Sequence, residues 1–117
     1  MALEYQHLEF TEAFWWSRPQ GRHLRLGITR VAAEALTYVT RVELLEVGTV
    51  FRRAQPVGTI ESQKAVSDLF APLSGRVVEH NPALRDRPFL VNSDPEGEGW
   101  LLLVERLDAN HGPEEVG

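Results

Sequence analysis

The sequence predicts a mostly β fold, a sandwich or barrel of short strands with a few short helices. Strand-like segments, aromatic or alternating between polar and apolar, recur along the chain at close spacing. Glycine and proline turn signals separate them, which favours a sandwich or barrel over a parallel α/β sheet. Only two stretches carry helix signals, and both are short. With 117 residues, 43% of them apolar, the chain suits one domain with a modest core rather than a disordered segment.

"AFWWS" (Ala13–Ser17) is aromatic and reads as the first strand. Pro19-Gln20-Gly21 marks a turn, and the alternating "HLRLGI" (His23–Ile28) reads as a half-buried strand returning from it. "TRVAAEAL" (Thr29–Leu36) predicts a helix, with Thr29 as its cap and alanines favouring it. A β-branched alternating strand follows over Val39–Leu45. Gly48, the short "TVFRR", and Pro56-Val57-Gly58 come next, the last read as turn punctuation. "TIES" and "AVSDLF" predict strands on either side of Gln63-Lys64. "RVVEH" (Arg76–His80) predicts another after Pro72 and Ser74-Gly75.

Asn81-Pro82 is a helix start, with Asn as cap and Pro at the first helical position, and "ALRDR" allows only a short helix before Pro88. "SDPEGEG" (Ser93–Gly99) reads as a loop. The nearly continuous apolar run of "WLLLVERL" (Trp100–Leu107) predicts a central strand. Residues 1–107 are expected to form the domain, and 108–117, "DANHGPEEVG", a flexible tail without a periodic apolar face.

Composition narrows the function classes. The formal net charge of −5, with no basic block longer than Arg52-Arg53, disfavours a nucleic-acid surface, which draws on clustered Lys and Arg. No apolar run approaches the roughly 18–20 residues that span a bilayer. "MALEYQHLEF" lacks the basic start and apolar centre of a signal peptide, so a cytoplasmic protein is expected. Without cysteine the chain has no disulfide, thiolate metal site or cysteine nucleophile.

The four histidines, His7, His23, His80 and His111, lack metal-ligand spacing, and the paired carboxylates Glu96/Glu98 and Glu114/Glu115 lie in turn-rich or terminal segments without a neighbouring histidine. Trp15-Trp16 read as core or half-core, and Phe14, Phe70 and Trp100 as core. No catalytic constellation emerges, no metal site is expected, and the pattern reads as a carrier rather than an enzyme.

One residue stands apart. Of twelve Lys and Arg residues eleven are arginine, and the single lysine, Lys64, lies in "ESQKAVSD". A biased proteome accounts for the arginines but not for the exception. The ε-amine can be deprotonated and acylated, which guanidinium cannot.

"ESQKAVSDLFAPLSGRVVEHN" (Glu61–Asn81) resembles the lipoyl attachment region of the glycine cleavage system H protein family, which reads E-S-x-K-A-x-S-D followed by P-x-S-G-x-V-x-E-x-N. "LVNSDPEGEGWLLLV" (Leu90–Val104), "GITRVAAEAL" and "VELLEVG" resemble further segments of that family in the same order, so the likeness runs over about residues 14–106.

The resemblance implies a lipoyl/biotinyl-type fold, a flattened barrel-sandwich of two antiparallel sheets. Lipoate would be covalently attached to Lys64 at a hairpin tip. Glu61, Ser62, Ala65, Ser67 and Asp68 would be read by the lipoate ligase or the lipoyl or octanoyl transferase, and Gly75 would give backbone freedom to a turn. The implied function is to shuttle an aminomethyl group on lipoyl-Lys64 among glycine decarboxylase, aminomethyltransferase and dihydrolipoyl dehydrogenase, without catalysis by the carrier itself. Acylation would move the formal charge from −5 to −6. The tip itself carries no Asn-Gly or other glycine signal, but a type I turn admits its residues.

Three positions depart from the family pattern. Counting back from Gly27-Ile28-Thr29, Trp15 stands where the family has an acidic residue associated with the loaded arm, and Trp16 matches the family tryptophan. Another carboxylate, such as Glu12 or Glu34, is a candidate to compensate. Leu36-Thr37-Tyr38 replaces the usual L-G-[DE], and the C-terminal helix is absent or reduced. These departures leave two alternatives beside glycine cleavage. One is an H-like lipoate-binding protein of another pathway, in sulfur-compound oxidation or lipoyl relay. The other, of a different class, is an unlipoylated barrel-type binding module. A biotin carrier is disfavoured, because Gln63 and Ala65 rather than methionines flank the lysine.

Overall fold

The computed structural model describes residues 14–107. The expected tail at 108–117, His7, His111, Glu12, the Glu114/Glu115 pair and the predicted strand start at Ala13 lie outside them. Eight strands and three short helices follow one another: β1 Trp15–Gln20, β2 His23–Ile28, α1 Arg30–Glu34, β3 Val39–Leu44, β4 Val50–Phe51, β5 Pro56–Ser62, β6 Val66–Phe70, β7 Gly75–His80, α2 Ala83–Asp86, α3 Leu90–Ser93 and β8 Leu102–Arg106.

The strands form two sheets, ordered β1-β2-β8-β7-β4 and β3-β5-β6. Every pairing is antiparallel. The predicted sandwich of two antiparallel sheets is therefore the observed architecture. Side chains from both sheets meet between them. Leu26, Ile28, Phe51, Val77, Leu102 and Val104 come from the larger sheet, and Val39, Val57, Ile60 and Leu69 from the smaller, all essentially removed from solvent. Each side chain of this size gains about 1.5–3 kcal/mol on burial.

The central position of β8, between β2 and β7, explains the unbroken apolar run of its sequence. Leu101, Leu102, Leu103 and Val104 are all buried, so both faces of the strand are covered. Phe14 and Trp15 belong to the core, whereas Trp16, Phe70 and Trp100, read from the sequence as core or half-core, are only partly buried.

Two turn expectations are corrected. Pro19 and Gln20 continue β1, and the turn lies at Gly21-Arg22, between the paired residues Gln20 and His23. Pro19 is tolerated because β1 is an edge strand, where a missing N–H need not break a ladder. Gly21 has φ 63° and Arg22 does not share that conformation, the pattern of a two-residue hairpin with glycine first. Pro56-Val57-Gly58, read as a turn, instead opens β5. Proline is admissible as the first residue of a strand.

The helix signals hold locally. Thr29 Oγ1 accepts the Ala32 N–H at 3.1 Å, capping α1. That helix is shorter than its alanine content suggested and ends at Glu34. Asn81 is buried. Its Oδ1 accepts the Ala83 N–H at 3.0 Å, while its Nδ2 donates to the carbonyls of Glu98 and Trp100 at 2.7 and 2.8 Å. One side chain thus braces the entry to α2 and fastens the loop before β8, although the cap position falls on Pro82, one residue later than expected, and the helix begins at Ala83. α3 was not expected from the sequence. Its four residues follow Pro88 without a capping side chain.

Candidate functional site

Strands β5 and β6 form a hairpin whose tip is Ser62-Gln63-Lys64-Ala65. Glu61 pairs with Val66, and beyond them the Ser62 N–H donates to the Ala65 carbonyl at 2.8 Å. The Ser62 hydroxyl donates to the same carbonyl at 3.3 Å. Gln63 and Lys64 are left as the two central residues. Neither has a positive φ, so the tip is not one of the primed turns that require glycine or asparagine. This is how the tip forms without the usual hairpin sequence signal.

Lys64 is exposed, and among the described residues it makes no hydrogen bond or ion pair. An exposed amine held at a turn without an ion-pair partner among the described residues is open to approach from outside. The tip is also braced from the side. The Gln63 N–H donates to the Tyr38 carbonyl at 3.2 Å, and the Thr40 hydroxyl donates to the Glu61 carbonyl at 3.1 Å.

The five residues expected to surround the lysine divide between roles. Glu61 pairs with Arg41 on β3 and Val66 on β6, and Asp68 pairs with Thr59. Directly opposed residues share a face, and alternate residues along a strand do too. Glu61 and Asp68 therefore lie on one face of the small sheet, both exposed, behind Lys64. Ser67 pairs with Ile60, which is buried, so it lies on the other face and is half-buried. Ser62 and Ala65 close the turn by their mutual hydrogen bonds.

Gly75 has a structural role other than the one expected. It has no positive φ and begins β7. A Cβ there would lie 2.7 Å from the Glu105 carbonyl oxygen and 3.2 Å from the Phe51 ring, so close approach of β8, not turn freedom, requires glycine.

Trp15 is buried at 7% exposure, its indole N–H donating to the Phe70 carbonyl at 3.0 Å and its ring meeting Phe14 edge-on at 5.6 Å. The residue that departs from the family pattern is thus a packed wall at the far end of β6, with its one polar atom satisfied.

The sequence reading missed an aromatic pair beside the tip. Tyr38 and Phe89 stack with ring centroids 6.0 Å apart and planes 13° from parallel, and they are 54% and 40% exposed. Asn92 holds their backbone. Its Oδ1 accepts the Val39 N–H at 2.8 Å, and its Nδ2 donates to the Thr37 carbonyl at 3.1 Å. The only sequence signal was that Tyr38 replaces an acidic residue. Nothing in the chain announces that Phe89, more than fifty residues away, is its partner.

Comparison with known proteins agrees with this geometry. The family model described as Glycine cleavage H-protein matches residues 6–115. The glycine cleavage system H protein of Rubrobacter xylanophilus is 50% identical over 104 residues, 89% of this chain and 82% of that protein. That of Thermus thermophilus is 43% identical over 99 residues, 85% and 77% of the two chains. The crystal structure of a glycine cleavage system H protein from Mycobacterium marinum superposes with a TM-score of 0.76 at 38% identity, covering 91% of this chain and 90% of that one. The fold, the exposed hairpin lysine and these likenesses agree, and the chain belongs to the glycine cleavage H-protein family.

Proposed function

We propose that this protein is the non-catalytic carrier of a glycine cleavage system, with lipoate joined through an amide to Lys64. The observation that carries the reading is the position of Lys64, an exposed amine without a partner among the described residues, at the tip of a braced two-strand hairpin. The residues present fit the group. A modifying enzyme reaches the amine without unfolding the sheet, and the strands behind the tip keep Glu61 and Asp68 in fixed positions for it to read.

In the attachment step the Nζ–acyl bond forms, the activating group of the acyl donor departs, and a proton is released. One positive charge is lost. The lipoyl group supplies the redox-active sulfurs that a chain without cysteine lacks. The polypeptide contributes the tether. An arm on a rigid hairpin raises the effective concentration of its cargo at each partner site. The partners on this reading are a lipoate ligase or lipoyl/octanoyl transferase, then the decarboxylase, the aminomethyltransferase and dihydrolipoyl dehydrogenase. Trp15 gives no support to a different cargo, since its indole is used in packing and in the bond to Phe70.

Intact mass after incubation with a lipoate ligase, ATP and lipoate tests the attachment. The wild type should gain one lipoyl group and Lys64→Arg none. An unmodified wild type would refute the carrier reading. Lipoylated protein should then support glycine-dependent bicarbonate exchange by a glycine decarboxylase. A carrier that is lipoylated but inactive in exchange belongs to another lipoate-dependent system.

A further inference from the structure

We infer that the outer face of the β1–β2 hairpin, around Arg18 and Arg25, is a docking surface for a carboxylate-rich segment of a partner protein. The inference goes beyond the carrier reading and stands without it, because Lys64 takes no part. Residues 15–33 hold four of the twelve Lys and Arg, namely Arg18, Arg22, Arg25 and Arg30, and none of the seventeen Asp and Glu. In a chain of net charge −5 this segment is a positive island. An acidic partner is repelled by the rest of the chain and drawn to this place, which sets its orientation.

The strand register concentrates the charge. Trp15 points into the core, so Trp16 and Arg18 point outward. Arg25 is the cross-strand partner of Arg18 and shares its face. Like charges so opposed destabilise a sheet unless something neutralises them. No carboxylate does so among the described residues, where the ion pairs are Arg41–Glu43 and Arg76–Glu105. Glu96 offers Arg18 only its carbonyl, at 3.3 Å, while its carboxylate accepts the Arg30 N–H at 2.7 Å. Arg25 is half-buried, and its Nε is buried without a hydrogen-bond partner among the described residues. A cation so placed is a cost that the fold alone does not recover.

Both guanidinium groups are held in place. That of Arg18 lies 4.5 Å from the Trp16 ring centre, and that of Arg25 lies 4.5 Å from the Trp100 ring centre. The Trp16 ring is anchored in turn. Its indole N–H donates to the Pro95 carbonyl at 2.9 Å, and a Cβ on Gly27 would meet the ring at 2.5 Å, so the ring lies against β2. Pre-positioned guanidinium groups bind carboxylates through paired N–H···O bonds at a lower entropy cost than free side chains. β1 is the edge of its sheet and Arg18 is exposed, so an extended protein segment fits this open face.

The test uses the full, unmodified chain and a synthetic peptide of Glu-Glu-Gly repeats, with a Ser-Ser-Gly peptide as control, and follows the indole N–H resonances. Those of Trp16 and Trp100 should shift with the acidic peptide alone. That of Trp15, bonded to the Phe70 carbonyl inside the fold, should stay in place. Arg18→Gln/Arg25→Gln should weaken binding about fivefold or more. Arg52→Gln/Arg53→Gln, the same loss of charge at another exposed pair, should weaken it less than about twofold. The wild-type titration needs no variant, so a folding defect cannot decide the result. Absence of shifts would overturn the docking surface. Equal weakening by the two double variants would overturn it as well, since net charge alone would then attract the peptide. Tighter binding of a single-stranded RNA of equal length would assign the face to phosphates instead. Movement of the Trp16 and Trp100 resonances in Asp108→Asn/Glu114→Gln/Glu115→Gln without peptide would place the chain's own carboxylates there, and that too would overturn it. None of these results bears on Lys64 or its modification.

Discussion

At Lys64 chemistry and position reinforce one another. Only an acylatable amine can carry an arm, and this amine has no competing partner among the described residues. Ala54 is a residue of the opposite kind, placed where its side chain is a disadvantage. It has φ 73°, the left-handed region, and it is the only non-glycine described residue with positive φ. Its N–H bonds the Ala71 carbonyl at 2.8 Å, which fixes that conformation between β4 and β5. The Cβ costs about 1–2 kcal/mol there, partly offset in glycine by greater freedom of the unfolded chain. Ala54→Gly should therefore stabilise the protein by roughly 0.5–1 kcal/mol, read by chemical denaturation, with lipoylation unchanged. A loss of stability would show that the residue is not strained.

Among the elements, the hairpin depends on a neighbour that the sequence placed far from it. Asn92, just before the end of α3, fixes residues 37–39, and Tyr38 in turn receives the Gln63 N–H at the tip. Asn92→Ala leaves the Val39 N–H and Thr37 carbonyl without those partners and should cost about 1–3 kcal/mol. Amide exchange should accelerate at Gln63 and Val39, while the β1–β2 hairpin stays protected. Uniform acceleration across the whole chain would mean that Asn92 acts on global stability instead.

The strands around Lys64 were legible, because alternation and turn residues mark β2, β3, β6 and β7 within a residue or two. The start of β5 and the end of β1 were not. Proline and glycine there look like turn signals, yet an edge position and a strand start accommodate them. The lysine and its flanking carboxylates were readable from the motif. The Tyr38–Phe89 stack was not, because pairing across more than fifty residues leaves no local periodicity.

Across the whole molecule, the small sheet that carries the hairpin is anchored by its inner face. Ile60 and Leu69, on the two arms of the hairpin, are 1% and 0% exposed and belong to one core cluster with Leu26, Phe51 and Leu102 of the larger sheet. Leu69→Ala should cost about 2–5 kcal/mol by lost burial and a residual cavity. The cost should appear as a lowered midpoint of thermal unfolding. The extent of lipoylation well below that midpoint should remain that of wild type, since the tip lies on solvent. Failure of modification in the folded variant would mean that the core positions the lysine more directly than its exposure suggests.

The sequence by itself determined the class of fold and most strand positions, and it singled out Lys64 as the candidate acceptor. Each of these is written in local periodicity, turn chemistry or a contiguous motif. Only the tertiary structure decided that Glu61 and Asp68 share the outer face while Ser67 turns inward. It also assigned Gly75 to a close strand approach, made Trp15 a packed wall and brought Tyr38 to Phe89. These outcomes depend on which strands become neighbours and in what register, and that is settled by burying the two sheets against each other.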